Sequence, residues 1–206
     1  MQKKTDWDYY YKNPSFVSNL TRQITTKKIL SYLEKSFKKT DRFLICELGG
    51  ANSCFVEKIL KKFSKCEYII IDNNEYGLKL LKNNSALKFF NVNLINGKNI
   101  DIKADFVFSV GLIEHFNVRD TRKVILQHLK LCKKRGNVLI TFPTNTWLYK
   151  LSRNFIILIG KWIFWDERPL TFKEVENSVN KKAKILHSQI NWWIFLTQGI
   201  IFAEKN

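Results

Sequence analysis

Residues 42–53, RFLICELGGANS, run as an apolar strand that meets an acid, Glu47, and then break into a glycine turn. Nineteen positions past Ser53, a second apolar run, YIII, ends on another acid, Asp72. Between them, Phe55, Val56, Ile59, Leu60 and Phe63 fall on one face of a helix over about 53–63. A strand, a tight turn, a helix and a strand closed by a carboxylate form the first half of a nucleotide-binding βαβ unit. That order of elements names a ligand class, a nucleoside, before any other residue is read.

The turn narrows the ligand. Gly49 can turn where a Cβ would clash, and Gly50 lets the backbone come close to a ligand. The free N–H groups of the following helix then point at that ligand. A dinucleotide site would carry G-x-G-x-x-G, whereas the chain has G-G-A-N-S-C and lacks two of the three glycines. Glu47, just before the turn, would repel a pyrophosphate and attract an ammonium or sulfonium group. Asp72 is placed to accept both hydroxyls of a ribose. An ordinary strand-to-helix connection and a helix N-cap are the plainer readings of these residues, and the motifs that follow weigh against them.

Along the rest of the chain, strands and helices alternate at short spacing. Residues 20–39 carry helical spacing, strands are expected at 43–48, 67–71, 87–95 and 105–110, and helices near 75–83 and 119–132. Gly136 breaks to a fifth strand, NVLITF, stopped by Pro143. This rhythm predicts an α/β fold, a mostly parallel sheet with helices on both faces. Residues 183–188 and 197–204 read as two more strands with no full helix between them, so that pair is expected to be antiparallel.

These motifs resemble the class I S-adenosylmethionine-dependent methyltransferases, most closely the small-molecule and quinone-type enzymes. ELGGANS is similar to their first motif, acid-x-Gly-x-Gly-x-Gly, and IIIDNN to their second. ADFVFSVGLIEHF (104–116) is similar to their fourth-strand motif and GNVLITFP to their fifth strand. The resemblance covers about 43–145 and implies a Rossmann-like fold with seven strands, the terminal pair being the sixth and seventh. It implies S-adenosylmethionine as cofactor and a metal-independent transfer. By position, Glu47 and the turn Gly49, Gly50, Ala51 and Asn52 would hold the methionine moiety, and Asp72 the ribose. Asn73 would lie beside the adenine, Asn93 and Leu94 at its edge, and Val110 and Gly111 would line the cleft floor. Ala51 and Ser53 depart from the motif's glycines, and Asn93 stands where an Asp is common.

Methyl transfer from a sulfonium is an in-line displacement in which alignment of acceptor, methyl and sulfur does most of the catalysis. An oxygen acceptor also benefits from a base. His115, directly after the fourth strand, is the candidate, with a local packing or capping role as the alternative. Glu114 is read either as a partner near the cofactor or as structural, and His128 and His187 as structural.

Two segments outside the cofactor unit are expected to select the acceptor. The aromatic cluster Trp7, Tyr9, Tyr10, Tyr11 and Phe16 reads as a lid or as packing on the core. Residues 146–165, TWLYKLSRNFIILIGKWIFW, are too broken by Lys150, Arg153 and Lys161 to span a membrane. Wound as a helix, they read as an interfacial element, a cover over an apolar pocket, or a buried or dimer-forming helix. DERPLTF (166–172) then turns into the next helix. The expected division is one domain, 1–206, with a lid segment 1–40, a cofactor core 41–145, an acceptor-side insert 146–182 and a terminal strand pair 183–206.

The net charge of +17 over 206 residues favours an anionic partner, yet the lysines are scattered on outer helix faces and form no long run. Four cysteines without CxxC spacing argue against a zinc site and a disulfide framework. The first residues carry no apolar h-region, so the expected compartment is a reducing cytoplasm, with peripheral contact to the inner face of the membrane through 146–165. The expected acceptor is a small or lipid- or sugar-linked molecule. An RNA-binding protein or RNA methyltransferase, motivated by the charge, and a degenerate non-catalytic member of the fold are the alternatives. Against the first, SVGL stands where methyltransferases of base amino groups carry an Asn-Pro-Pro-Tyr-type tetrapeptide.

Overall fold

The computed structural model describes residues 4–13, 16–81, 84–97 and 100–206, without the side chains of 16–19, so Phe16 lies outside the described aromatic cluster. Its strands are β1 (Leu44–Leu48), β2 (Glu67–Asp72), β3 (Leu87–Asn91), β4 (Ala104–Val110), β5 (Cys132–Pro143), β6 (Ala183–Asn191) and β7 (Gln198–Lys205). They form one seven-stranded sheet in the order β3-β2-β1-β4-β5-β7-β6. β7 runs antiparallel to β5 and β6, while the pairs from β3 to β5 are parallel. The order of winding reverses between β1 and β4, and it is outside the carboxyl ends of strands at such a reversal that open α/β sheets bind ligands.

Strand alternation builds a core on each face. In β1, Cys46 and Leu48 join the core that α5 (Val118–Leu131) and α7 (Phe172–Val179) cover with Val124, Ile125, Leu129, Val175 and Val179. Ile45 joins the opposite core, where α2 (Phe16–Ser36), α3 (Val56–Lys62) and α4 (Glu75–Leu81) contribute Ile29, Leu33, Ile59 and Leu78. Glu47 follows Ile45 by two residues and so faces this second side, above the fully buried Phe106 and Phe108. Burying a phenylalanine contributes about 1.5–3 kcal/mol, so the floor under Glu47 is firmly held.

Two expected strand boundaries move and one short helix is added, each for a local reason. β3 stops at Asn91 rather than 95, because the Asn93 side chain caps a turn by accepting from the Ile95 and Asn96 amides. β5 begins at Cys132, before Gly136, and passes a register shift against β4 with Arg135 at φ +60°. The N-terminal aromatic stretch is a short helix, α1 (Trp7–Lys12), capped by Asp6, whose carboxylate accepts from the Tyr9 amide. The remaining helix, α6 (Trp147–Leu158), is capped in the same way by Thr146.

Candidate functional site

The turn after β1 is built around one left-handed glycine. Gly49 has φ +69°, a conformation that favours glycine, and a Cβ there would also press on the Leu112 side chain, 2.7 Å from its Cδ1. Its N–H donates to the Ile71 carbonyl at 2.9 Å, pinning the turn to the end of β2. At Gly50 the space of a Cβ is taken by the Glu47 side chain, whose Cδ would be 2.7 Å away. Asn52 has φ +53°, a conformation asparagine tolerates. Ala51 and Ser53 do not need positive φ, so the absent glycines leave the turn unstrained.

Two carboxylates flank this turn. Glu47 is 2% exposed, and its Oε2 accepts from the Tyr68 hydroxyl at 2.6 Å. Burial pushes its pKa up to about 7 against the opposing bonds from Tyr68 and Ser53, with the Asp72 charge adding to the rise. Asp72 Oδ2 accepts from the Ala51 amide at 2.9 Å and Oδ1 from the Asn74 amide at 2.8 Å. Burial raises Asp72 as well, and these amides oppose the rise. Each of its oxygens keeps a second lone pair, so the carboxylate that clamps the turn can still accept from two hydroxyls.

Asn73 is exposed beside Asp72. Asn93 and Leu94 line a cavity of about 190 Å³ with Val92, Gly97 and Ile100. The Asn93 carbonyl already accepts two amides, so only its NH₂ donors are left to meet a base. Val110 and Gly111 close β4 beside the turn, with Gly111 at φ +63° donating its N–H to the Thr141 carbonyl. A larger cavity, about 540 Å³, lies at the opposite edge among Arg42, Lys65 and Lys133, where β1, β2 and β4 begin.

His115 ends a 3₁₀ turn, Ile113–His115, and faces a cluster of acids. Its Nδ1 lies 3.0 Å from Asp166 Oδ1 and its Nε2 4.0 Å from Glu114 Oε1. Burial pulls His115 down, but the bond to Asp166 and the Glu114 and Glu167 charges more than offset it and hold it above its ordinary value. For Asp166, burial is outweighed by bonds from His115 and Thr5, which take it down to about 2. Glu114 is buried and pushed up to about 8 by burial, with the His115 charge opposing. Its Oε2 has no hydrogen-bond partner among the described residues. Glu167 accepts from the Tyr149 hydroxyl of α6. Glu114, His115 and Glu167 each offer a ligand atom within 4.8 Å of the others and could hold a metal ion. His128 is buried between the Val124 carbonyl and the Ser109 hydroxyl, and His187 bonds Tyr32, so both are structural.

The N-terminal segment crosses between the two halves. Asp8 accepts from Asn74 Nδ2 at 2.8 Å beside Asp72, and Thr5 donates to Asp166 at the other end. Between them the Trp7 ring meets His115 edge to face at 4.8 Å, and Tyr10 meets Phe164 at 5.2 Å. Burial and the Asp72 charge raise the Tyr11 hydroxyl well above its ordinary value. Sequence reasoning missed Asp166 as the partner of His115, and Tyr68 as the partner of Glu47. Nothing in spacing ties Asp166 to a histidine 51 residues earlier. Tyr68 did carry a signal: it stands at the same sheet face as Asp72, four residues before it.

The sheet order, with its one antiparallel strand, is the fold of the class I S-adenosylmethionine-dependent methyltransferases. Solved structures with this fold include magnesium protoporphyrin IX methyltransferase (ChlM) from Synechocystis PCC 6803, with bound S-adenosylhomocysteine. It is 13% identical over 97% of this chain and 93% of its own, with a TM-score of 0.74. The N-methyltransferase NodS from Bradyrhizobium japonicum WM9, also with S-adenosylhomocysteine, is 10% identical over 97% and 93%, with a TM-score of 0.64. The pyocyanin biosynthetic protein PhzM is 11% identical over 98% of this chain and 62% of its own, with a TM-score of 0.66. At these identities the likeness carries the fold. No family model matches the sequence, and no curated protein matches it in sequence.

Proposed function

We propose that this chain is an S-adenosylmethionine-dependent methyltransferase acting on a small or lipid- or sugar-linked acceptor. The observation that carries the reading is the assembly of Glu47, the Gly49 turn and Asp72 at the reversal between β1 and β4. The bound cofactor products in the two methyltransferases above support it. When bound, S-adenosylmethionine supplies a methyl group activated by its sulfonium. The residues present fit that cofactor. Asp72 keeps lone pairs for the ribose, Gly49–Asn52 would hold the methionine moiety, and buried Glu47, once ionised, would complement its ammonium. Asn73, Asn93 through its NH₂, and Leu94 would flank the adenine, and Val110 and Gly111 would form the floor.

On the acceptor side, His115 is the general base. Its Nδ1–H donates to Asp166, which leaves Nε2 as the proton acceptor and stabilises the imidazolium that forms. Trp7, Tyr10 and Phe164 keep water from this side of the cleft. In this reading transfer is metal-independent. A second reading is favoured by the unpartnered Glu114 oxygen: a divalent cation held by Glu114, His115 and Glu167 would satisfy it and orient the acceptor oxygen.

The test supplies methyl-tritiated S-adenosylmethionine with three acceptor pools: small metabolites, solvent-extracted lipids and glycolipids, and RNA. Label should enter one of the first two, in the presence of EDTA, and be lost in His115→Ala. Label confined to RNA would overturn the acceptor class, and abolition by EDTA with recovery on added Mg²⁺ or Mn²⁺ would establish the metal-assisted form.

A further inference from the structure

Helix α6 is turned the wrong way round for a soluble protein. Its inward side carries the buried Tyr149 and the half-buried Arg153, while Trp147, Leu151, Phe155 and Leu158 project into solvent, with Trp147 68% and Leu158 82% exposed. These four recur at spacings of four, four and three, which is one helical stripe. A second apolar set stands beside it. The connection between β6 and β7 presents Trp192, Trp193 and Phe195, with Trp193 78% and Phe195 70% exposed.

The two sets are carried by elements fastened to each other. The Thr144 amide donates to the Thr197 carbonyl at 3.1 Å, and the hydroxyls of Thr146 and Thr197 lie 2.6 Å apart. Thr146 is the N-cap of α6, so the hairpin tip is fastened to the start of the helix. Trp147, Leu151, Phe155, Leu158, Trp192, Trp193 and Phe195, all exposed on two joined elements, depart from the singly scattered apolar residues of an ordinary protein surface. Tryptophans at the start of α6 and at the hairpin tip are the composition of a membrane–water interface, where an apolar ring with a polar N–H is most stable.

Charge selects among the surfaces that could cover these residues. Exposed Lys150 and Lys161 flank the stripe, and the chain carries +17 overall. A second copy of this chain would set like charges against each other, whereas an anionic bilayer complements them. No described helix is long and apolar enough to cross a membrane. We infer that the chain docks on the surface of an anionic phospholipid bilayer through the outer stripe of α6 and the tryptophan tip of the β6–β7 hairpin.

This docking stands apart from the proposed methyl transfer, yet it gives the site a route to a lipid-borne acceptor. The opposite side of α6 carries Tyr149, which bonds Glu167 next to Asp166 and His115. One helix therefore faces the bilayer on one side and the candidate base on the other.

The test is sedimentation of the full chain with vesicles of phosphatidylglycerol and phosphatidylcholine, and of phosphatidylcholine alone, without cofactor. The expected result is binding to the anionic vesicles with a blue shift of tryptophan fluorescence. Trp193→Ser with Phe195→Ser, and separately Leu151→Gln with Phe155→Gln, should each weaken binding at least tenfold while leaving melting temperature unchanged. Three results would overturn the proposal: no binding, binding that the two double variants retain through lysines alone, or variants that convert a dimer to a monomer with vesicle binding unmoved. Because the assay needs no S-adenosylmethionine, its failure is distinct from failure of the methyltransferase reading.

Discussion

With Glu47 at the ligand's charged end, as proposed, cofactor binding is sensitive to pH in a direction the geometry fixes. Its carboxyl is buried, bonded to Tyr68, and raised from the ordinary value of 4.5 to about 7. The folded state therefore holds this proton more tightly than the unfolded chain does. The associated stability is present below about pH 4.5 and is lost as pH rises through 7, a change on the order of 3 kcal/mol. A ligand ammonium beside Glu47 favours the ionised form, so binding must expel the proton. With a pKa near 7, about 3% of the group is ionised at pH 5.5 and about half at pH 7, which makes affinity rise about fifteenfold over that interval. The interval lies below the ligand's own amine titration. Calorimetry of S-adenosylmethionine in two buffers of different ionisation enthalpy reads both quantities. Nearly one proton should be released at pH 5.5, and Glu47→Gln should flatten the affinity profile and abolish the release. Equal affinity at both pH values with no proton release in the native chain would refute the placement of Glu47 at the ligand's charged end.

The remaining expectations concern the turn, the base and the lid. Gly49→Ala should lower stability by about 2–4 kcal/mol, from left-handed strain and the contact with Leu112, and Leu112→Ala should relieve only the second part, as read by urea denaturation of the double-mutant cycle. His115→Gln should reduce transfer by about 10²–10⁴ while leaving the calorimetric affinity for S-adenosylhomocysteine within about threefold; a loss of affinity instead would make His115 a cofactor residue. Trp7→Ala removes the ring between α1 and His115, and should speed dissociation of S-adenosylhomocysteine in stopped-flow displacement without lowering the melting temperature by more than a few degrees.

Local periodicity made the sheet legible, because β1, β2 and β4 are buried on both faces and read as continuous apolar runs, FLIC, YIII and FVF. Glu47 and Asp72 were legible for the same reason: an acid at the end of such a run has no packing role to fill. What stayed hidden depends on contacts between distant segments. The end of β3 was overrun because Val92 and Leu94 continue an apolar pattern that the Asn93 side chain interrupts. The pairing of His115 with Asp166, and of α6 with the hairpin tip, joins residues about 50 positions apart. The outward direction of Trp147, Leu151 and Phe155 could not be read either, since an amphipathic pattern shows which residues share a face and not which way that face points.

The central claim is that the reversal between β1 and β4 holds S-adenosylmethionine, and titration calorimetry of the native chain with S-adenosylhomocysteine tests it without an acceptor. Saturable binding at one site per chain is expected, with thermal stabilisation of about 2.7 kcal/mol at a hundredfold excess over the dissociation constant. Binding should be largely lost in Asp72→Asn, which keeps a hydrogen-bonding side chain against the turn but gives up the charge and one acceptor oxygen. Absence of both heat and thermal stabilisation in the native chain would contradict the account.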